Sequence, residues 1–275
     1  MVIGQALAEI AALFEANDVF APDYEARLLL SQVLGLTAAE LLLNRGDEAD
    51  CTKAFEIAEK RISGVPLQYL LGQWEFYGLP FKVGEGVLIP RPETELLADL
   101  AAERLTENDC LLDLCSGSGC IPIAAAKTVG CKATGVELYP EAYGYFIQNI
   151  ALNQAEGLVR PIQGDALAPE TLGLKGKFKL ITSNPPYLTA EEMAKLQREV
   201  TREPESALFG GEDGLDFYRR LFLLYKPYLA EDGMIAVEVG DKQHEAVMGL
   251  AEEAGLTADC ILDYNRIGRV VTGRL

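Results

Sequence analysis

Histidine is nearly absent from this chain: among 275 residues there is one, His244. A histidine-built metal site is thereby excluded, and any Ser-His or Cys-His catalyst would have to use that residue. Basic residues are scarce too. Lys and Arg number 24 against 42 Asp and Glu, a formal net charge of −18. A surface that acidic repels phosphate backbones and disfavours bulk electrostatic binding to DNA, RNA or anionic membrane. Long apolar runs are missing: the greasiest stretch, Leu221 to Leu229, is broken by Lys226 and Pro227, well short of the ~18 residues a membrane span needs. The first basic residue is Arg27, so neither a secretory n-region nor an Arg-rich transit peptide is expected, and the reading is cytoplasmic. No C-x-x-C pair occurs. Cys110, Cys115, Cys120 and Cys131 crowd a stretch that reads as core strand and loop, which predicts buried free thiols rather than disulfides or zinc.

What is present is ordinary globular material, 49% hydrophobic, long enough for one large domain and one small one. Residues 1–72 read as a helical bundle. Ile3, Leu7, Ile10 and Phe14 recur at helical spacing. Pro22 opens a second helix, Thr37 with Glu40 has capping-box spacing, and a fourth helix spans about 52–62. Residues 73–91 carry short alternating runs split by Gly78-Leu79-Pro80, a hairpin linker. From 92 to 275 strand-like stretches (110–114, 133–138, 158–165, 178–184, 233–240, 258–264, 268–274) alternate with helical ones (93–106, 119–129, 140–154, 213–230, 241–254). Such alternation predicts a doubly wound α/β sheet, mostly parallel. The last two strands lack a helix-length gap, so one of them should run antiparallel.

Two places carry chemistry. The strand Cys110–Leu114 leads straight into Cys115-Ser116-Gly117-Ser118-Gly119 and then into a helix, the first unit of a nucleotide-binding fold. Pro122 stands where a dinucleotide fingerprint needs its third glycine, so a pyrophosphate on that helix is poorly supported. Glu137 ends the next strand, where a carboxylate can accept from both ribose hydroxyls, and Asp165 ends the one after, where an adenine edge would lie. Acids and glycines without a phosphate-clamping Lys or Arg suit a cationic nucleoside such as S-adenosylmethionine; ordinary turn chemistry is the alternative.

The second place is Asn184-Pro185-Pro186-Tyr187, at the carboxyl end of the strand beginning at Phe178. Asn-Pro is common turn chemistry, but the carboxyl edge of an open α/β sheet is where ligands bind. The Asn184 side-chain carbonyl and the Pro185 backbone carbonyl can each accept one N–H of a planar NH2 group, with Tyr187 stacking on it or shaping its pocket. Acceptors placed off the amide plane favour the pyramidal, positively charged nitrogen of a transition state. No general base is demanded before attack, which suits a chain with one histidine.

An Asn-Pro-Pro-Tyr motif with an Asp-x-x-x-Gly-x-Gly loop resembles the class I methyltransferases that modify NH2 groups. Further stretches narrow this to the PrmC/HemK family: Arg61 to Gly72, Glu75-Phe76, Val87 to Glu95 with its Pro-Arg-Pro-Glu-Thr-Glu run, Glu203-Pro204, Ala207 to Tyr218, Glu238-Val-Gly240, and Asp263 with Arg269. The resemblance covers nearly the whole chain from about residue 20. It implies a Rossmann-like, seven-stranded mixed sheet and methyl transfer from S-adenosylmethionine to a glutamine side chain of peptide chain release factors, with no metal and no direct nucleic-acid partner. By position it implies cofactor contacts at Asp113, Cys115, Ser116, Gly117, Ser118, Gly119, Glu137, Asp165 and Ala166, with Asn184 shared between cofactor and substrate. Asn184, Pro185 and Tyr187 take the catalytic roles, and Pro186, Arg91 and Glu93 join them around the substrate; a structural ion pair is the other reading of Arg91 and Glu93. The helical bundle becomes a protein-docking surface. The chain departs from the family at Cys115 and Arg266, which replace glycines, and at Ala166, where some members have an aromatic. A ribosomal-protein glutamine methyltransferase, an N6-adenine nucleic-acid methyltransferase and a cofactor-binding module without turnover remain as rivals.

Overall fold

The computed structural model describes every residue from Met1 to Leu275. Two compact units divide the chain, Met1–Gln73 with Gln197–Arg202 in one and Trp74–Leu196 with Glu203–Leu275 in the other.

The smaller unit holds α1 (Ile3–Glu15), α2 (Pro22–Leu34), α3 (Ala38–Leu43), α4 (Thr52–Ile62) and α5 (Leu67–Leu71). The stripe Ile3, Leu7, Ile10 and Phe14 is buried, and meets Leu29 and Leu30 of α2 and Ala58 of α4 in one apolar core. Thr37 and Glu40 form the expected reciprocal cap: the Glu40 N–H donates to Thr37 Oγ1 at 3.2 Å, and the Thr37 N–H donates to Glu40 Oε2 at 2.9 Å. Arg61, 3% exposed, donates to both carboxylate oxygens of Glu25 (2.6 and 2.9 Å) and to Glu199 (3.1 Å). A buried guanidinium is tolerable because two carboxylates face it.

The larger unit begins with the hairpin strand β1 (Gln73–Phe76), whose first residue is counted with the helices, and β2 (Leu79–Lys82). Phe76 and Phe81 pack edge to face, 6.0 Å between centroids, inside the core of this unit. There follow α6 (Glu95–Arg104), β3 (Cys110–Leu114), α7 (Cys120–Val129), β4 (Lys132–Glu137), α8 (Pro140–Leu152), β5 (Val159–Gln163), β6 (Phe178–Ser183), α9 (Ala190–Met193), α10 (Tyr218–Tyr225), β7 (Leu229–Glu238), α11 (His244–Glu253), β8 (Thr257–Leu262) and β9 (Gly268–Arg274). The sheet order is β5-β4-β3-β6-β7-β9-β8. All pairs are parallel except those of β9, which lies antiparallel between β7 and β8. Chain direction reverses its walk across the sheet between β3 and β6, the point where open α/β sheets form a crevice.

The helix expected over 213–230 is shorter, Tyr218–Tyr225. Gly214 takes φ +73, and a Cβ there would meet the Tyr187 carbonyl oxygen at 2.2 Å, so this stretch must be loop pressed on the Asn-Pro-Pro-Tyr segment. Pro227 then converts the helix end into a 3-10 turn. Strand β7 starts at Leu229, four residues before the expected 233, through a bulged pairing with β6.

Candidate active site

Sheet register assembles the site. Leu114 of β3 pairs with Val136 of β4 and Ser183 of β6, and Ser183 pairs with Val237 of β7. The next residue of each strand, Cys115, Glu137, Asn184 and Glu238, therefore emerges in one row along the carboxyl edge. Parallel strands of matched length bring residues up to 123 positions apart in sequence into line, since Cys115 and Glu238 share that row.

On the β3–β4 side the loop is tied down from below. Asp113 is fully buried and accepts from Ser116 Oγ (2.6 Å) and Thr182 Oγ1 (2.7 Å). Burial pushes its carboxyl up to about 7, against those hydrogen bonds. Glu137, 6% exposed, accepts the Gly117 N–H on Oε2 at 2.8 Å and the Tyr139 N–H on Oε1 at 2.9 Å. Burial raises this carboxyl as well, opposed by the backbone donors. Each Glu137 oxygen keeps a second lone pair for a hydroxyl. Gly119 sits at φ +81, and a Cβ there would lie 2.1 Å from the Phe146 ring, so only glycine fits between loop and core. Cys115 holds φ +57 without that freedom. Burial, then the charges of Glu137 and Asp113, push its thiol well above its ordinary range.

On the β6–β7 side, side chains hold the geometry. Asn184 Nδ2 donates to Thr94 Oγ1 at 3.0 Å, and Thr94 Oγ1 donates to Glu238 Oε2 at 2.6 Å. Tyr187 Oη reaches Glu238 Oε1 at 3.4 Å. Burial pushes the Glu238 carboxyl up to about 7, opposed first by the Thr94 hydrogen bond. Burial, with Glu238 nearby, also pushes the Tyr187 hydroxyl up. Gln243 clamps the same segment, donating to the Tyr187 carbonyl and accepting the Gly240 N–H, both at 2.9 Å.

Between the two sides lies one cavity. Of the residues singled out in the sequence, Arg91, Cys115, Ser116, Gly117, Ser118, Glu137, Asp165, Ala166, Asn184 and Pro186 line it. Asp113, Gly119, Pro185, Tyr187 and Glu93 are not among the lining residues. Asp113 and Gly119 act from beneath the loop. Pro185 is buried, and the Tyr187 hydroxyl turns to the end of β7 rather than into the cavity. Glu93 is exposed. The ion pair considered between Arg91 and Glu93 is replaced by another: Arg91 pairs with the buried Glu203, which also accepts the Ile89 N–H at 3.0 Å. His244 opens α11 half-buried, with Nδ1 unpartnered, close against Gly268. Sequence reasoning missed Leu138, Tyr139 and Phe217 on the cavity wall, and the parts played by Thr94, Glu203 and Gln243. For Thr94 and Glu203 the signal was present, since both lie in stretches that match the family.

The cavity fits an adenosyl sulfonium compound. Its wall joins the apolar Val136, Leu138, Ala166 and Phe217 to the carboxylates Glu137 and Asp165, and its one guanidinium, Arg91, is already engaged by Glu203. Apolar surface suits a flat base, and acceptors with free lone pairs suit hydroxyls and positive charge.

Comparison with known proteins agrees. The PrmC N-terminal domain family matches residues 5–72, and the TRM5/TYW2 methyltransferase domain family matches residues 97–203. The release factor glutamine methyltransferase of Thermodesulfovibrio yellowstonii is 38% identical over 259 residues, 90% of each chain. That of Geobacter sulfurreducens is 38% identical, covering 91% of this chain and 89% of its own. That of Deinococcus radiodurans is 34% identical over 280 residues, covering 100% and 99%. Among solved structures, a methyltransferase from Pyrococcus furiosus has a TM-score of 0.55 at 19% identity, covering 72% of this chain and 90% of its own. The hMettl16 catalytic domain, solved with a MAT2A 3'UTR hairpin, has 0.57 at 16% identity, covering 79% and 81%. Likeness that remote speaks for the fold, a class I methyltransferase sheet.

Proposed function

The chain belongs to the release factor glutamine methyltransferase family, and from that footing we propose that it transfers a methyl group from S-adenosylmethionine to the side-chain amide nitrogen of the glutamine in the Gly-Gly-Gln motif of class 1 peptide chain release factors. The observation that carries this reading is the register that sets Asn184 in one row with Glu137 and the glycine loop. Glu137 takes the ribose hydroxyls on its two remaining lone pairs, and Asp165 with Ala166 borders the adenine. The cofactor, when bound, supplies an electrophilic methyl group with a neutral thioether as leaving group. Asn184 Oδ1 and the Pro185 carbonyl accept the two N–H bonds of the glutamine amide. As the nitrogen becomes pyramidal and gains charge, those acceptors hold it better than they hold the planar amide. Pro186 and Arg91 border the glutamine's approach, and the helical unit provides the surface that docks the release factor. A substrate that works on the ribosome places the reaction in the cytoplasm.

The test is incubation of the purified protein with methyl-labelled S-adenosylmethionine and a purified class 1 release factor, followed by peptide mapping. Label on the Gly-Gly-Gln glutamine is expected. A release factor left unlabelled, or labelled only elsewhere, overturns the reading.

A further inference from the structure

Asn184 can serve as an acceptor only if its amide is turned the right way round. A primary amide presents C=O and NH2 from nearly the same shape, so a half-turn about χ2 would point two donors at a substrate that also carries donors. Something must forbid that half-turn. Thr94 is 2% exposed and sits between Asn184 Nδ2 at 3.0 Å and Glu238 Oε2 at 2.6 Å. The Thr94 hydroxyl donates its one proton to Glu238 Oε2, so Thr94 Oγ1 has only lone pairs left for Asn184. The group facing it must then be NH2, which leaves Oδ1 for the cavity that Asn184 lines. Glu238 itself is anchored, since it is 2% exposed and its second oxygen is approached by the Tyr187 hydroxyl.

We propose that Thr94 and Glu238 form a polarity lock, positioning residues that act through Asn184 and fix its amide with the oxygen toward the reacting nitrogen. The inference rests on the glutamine-methylation reading for its kinetic part and on the apo protein alone for its spectroscopic part. The lock is directional, running from Glu238 to Thr94 to Asn184, and a substitution that keeps a hydroxyl at 94 and an acceptor at 238 preserves it.

The experiment compares Thr94→Val, which keeps the shape and loses the hydroxyl, with Thr94→Ser, which restores it. Thr94→Val is expected to lower kcat about 10- to 100-fold, the scale of one misaimed hydrogen-bonding group in a transition state. KM for the release factor and Kd for S-adenosylmethionine stay within about 2-fold, because a misaimed acceptor is felt most by the pyramidal, charged nitrogen of the transition state. Thr94→Ser returns kcat to within about 3-fold of wild type. Glu238→Gln, whose carbonyl still accepts from Thr94, should behave like Thr94→Ser, and Glu238→Leu like Thr94→Val. Independently of turnover, the Asn184 side-chain NH2 of the cofactor-free protein should exchange slowly by 15N NMR in wild type and fast in Thr94→Val. Thr94→Val with near wild-type kcat, equal losses in the valine and serine variants, or an Asn184 NH2 that exchanges alike in both overturns the proposal. Should Thr94→Val fold poorly, the serine variant and the wild-type exchange rate still decide it. A wild-type enzyme that leaves the glutamine unlabelled sinks the functional reading instead, and the exchange measurement still stands.

Discussion

Glu137 and Glu238 invite comparison. Each ends a parallel strand, each is buried, and their rows flank the β3–β6 pair from opposite sides. Yet Glu137 is satisfied by two backbone N–H groups and lines the cavity, whereas Glu238 is engaged by two side chains and does not. Backbone donors occupy one lone pair on each oxygen and leave the carboxylate able to accept from a ligand. Side-chain partners turn the other carboxylate inward, where it organises neighbours. The same residue type at matched register thus faces the cavity with lone pairs to spare on one side and is spent on its neighbours on the other, and what decides is the kind of donor that reaches it.

The largest effect should follow from removing the acceptor on the β6–β7 side. Asn184→Ala is expected to lower kcat about 10²- to 10³-fold, with Kd for S-adenosylmethionine raised only about 3-fold, measured by steady-state kinetics and calorimetry. Near wild-type turnover would falsify the division between the two sides. Glu137→Ala should give the opposite signature, cofactor Kd raised roughly 10- to 100-fold through lost charge-assisted hydrogen bonds and kcat at saturation changed little. If it were kcat that fell, with Kd unchanged, the two glutamates would have been assigned the wrong way round.

Stability experiments sharpen the contrast further. Gly119→Ala drives a Cβ into Phe146 at a positive φ and should cost about 2–3 kcal/mol in denaturant unfolding; a loss near zero would mean the loop is looser than its hydrogen bonds imply. Glu238 faces Thr94 and Tyr187 through hydrogen bonds and Glu93 and Arg269 through charge, and burial raises its folded-state value to about 7 from 4.5. The folded state therefore binds the proton more tightly than the unfolded one. Its contribution is fully present below about 4.5 and lost as pH rises through about 7. Asp113, raised to about 7 from 3.8, acts in the same direction. Glu238→Gln should flatten part of the fall in stability between pH 5 and 8, read by thermal melts across about that range; parallel curves for variant and wild type would contradict the buried, proton-hungry carboxylate. The smallest effect is expected at Cys115, where Gly relieves φ +57 and should stabilise the fold by about 0.5 kcal/mol, the left-handed penalty being partly cancelled by the freer unfolded chain.

Much of this arrangement is legible in the sequence, for identifiable reasons. Buried parallel strands are rich in apolar residues, so Cys110–Leu114, interrupted only by Asp113, and Phe178–Ser183, built around Phe178, Leu180 and Ile181, stand out, and a residue directly after such a strand lies at the carboxyl edge by geometry alone. Glu137, Asn184 and the loop at 115–119 were visible on those terms. Thr94 and Glu238 are 144 positions apart, and Ile89 and Glu203 are 114 apart; no local pattern encodes a hydrogen bond across that distance. Tyr187 shows the other limit. An aromatic beside a polar motif suggests stacking, but the Glu238 carboxylate claims its hydroxyl, a competition that only packing reveals. Strain was half visible: Cys115 and Arg266 stand where the resemblance implies glycine, and both hold positive φ, at +57 and +62.

The segment Gln197–Arg202 bears on how this molecule can be taken apart. Because it is counted with the helices, the chain passes from one unit to the other at 73/74, at 196/197 and again at 202/203. A protein with a single passage yields two fragments to one protease cut. Here a cut after residue 73 would leave Gln197–Arg202 on the sheet fragment with Glu199 parted from Arg61. Neither fragment would then be a whole unit, and deletion of the helices would strip Gln197–Arg202 of the unit it packs in.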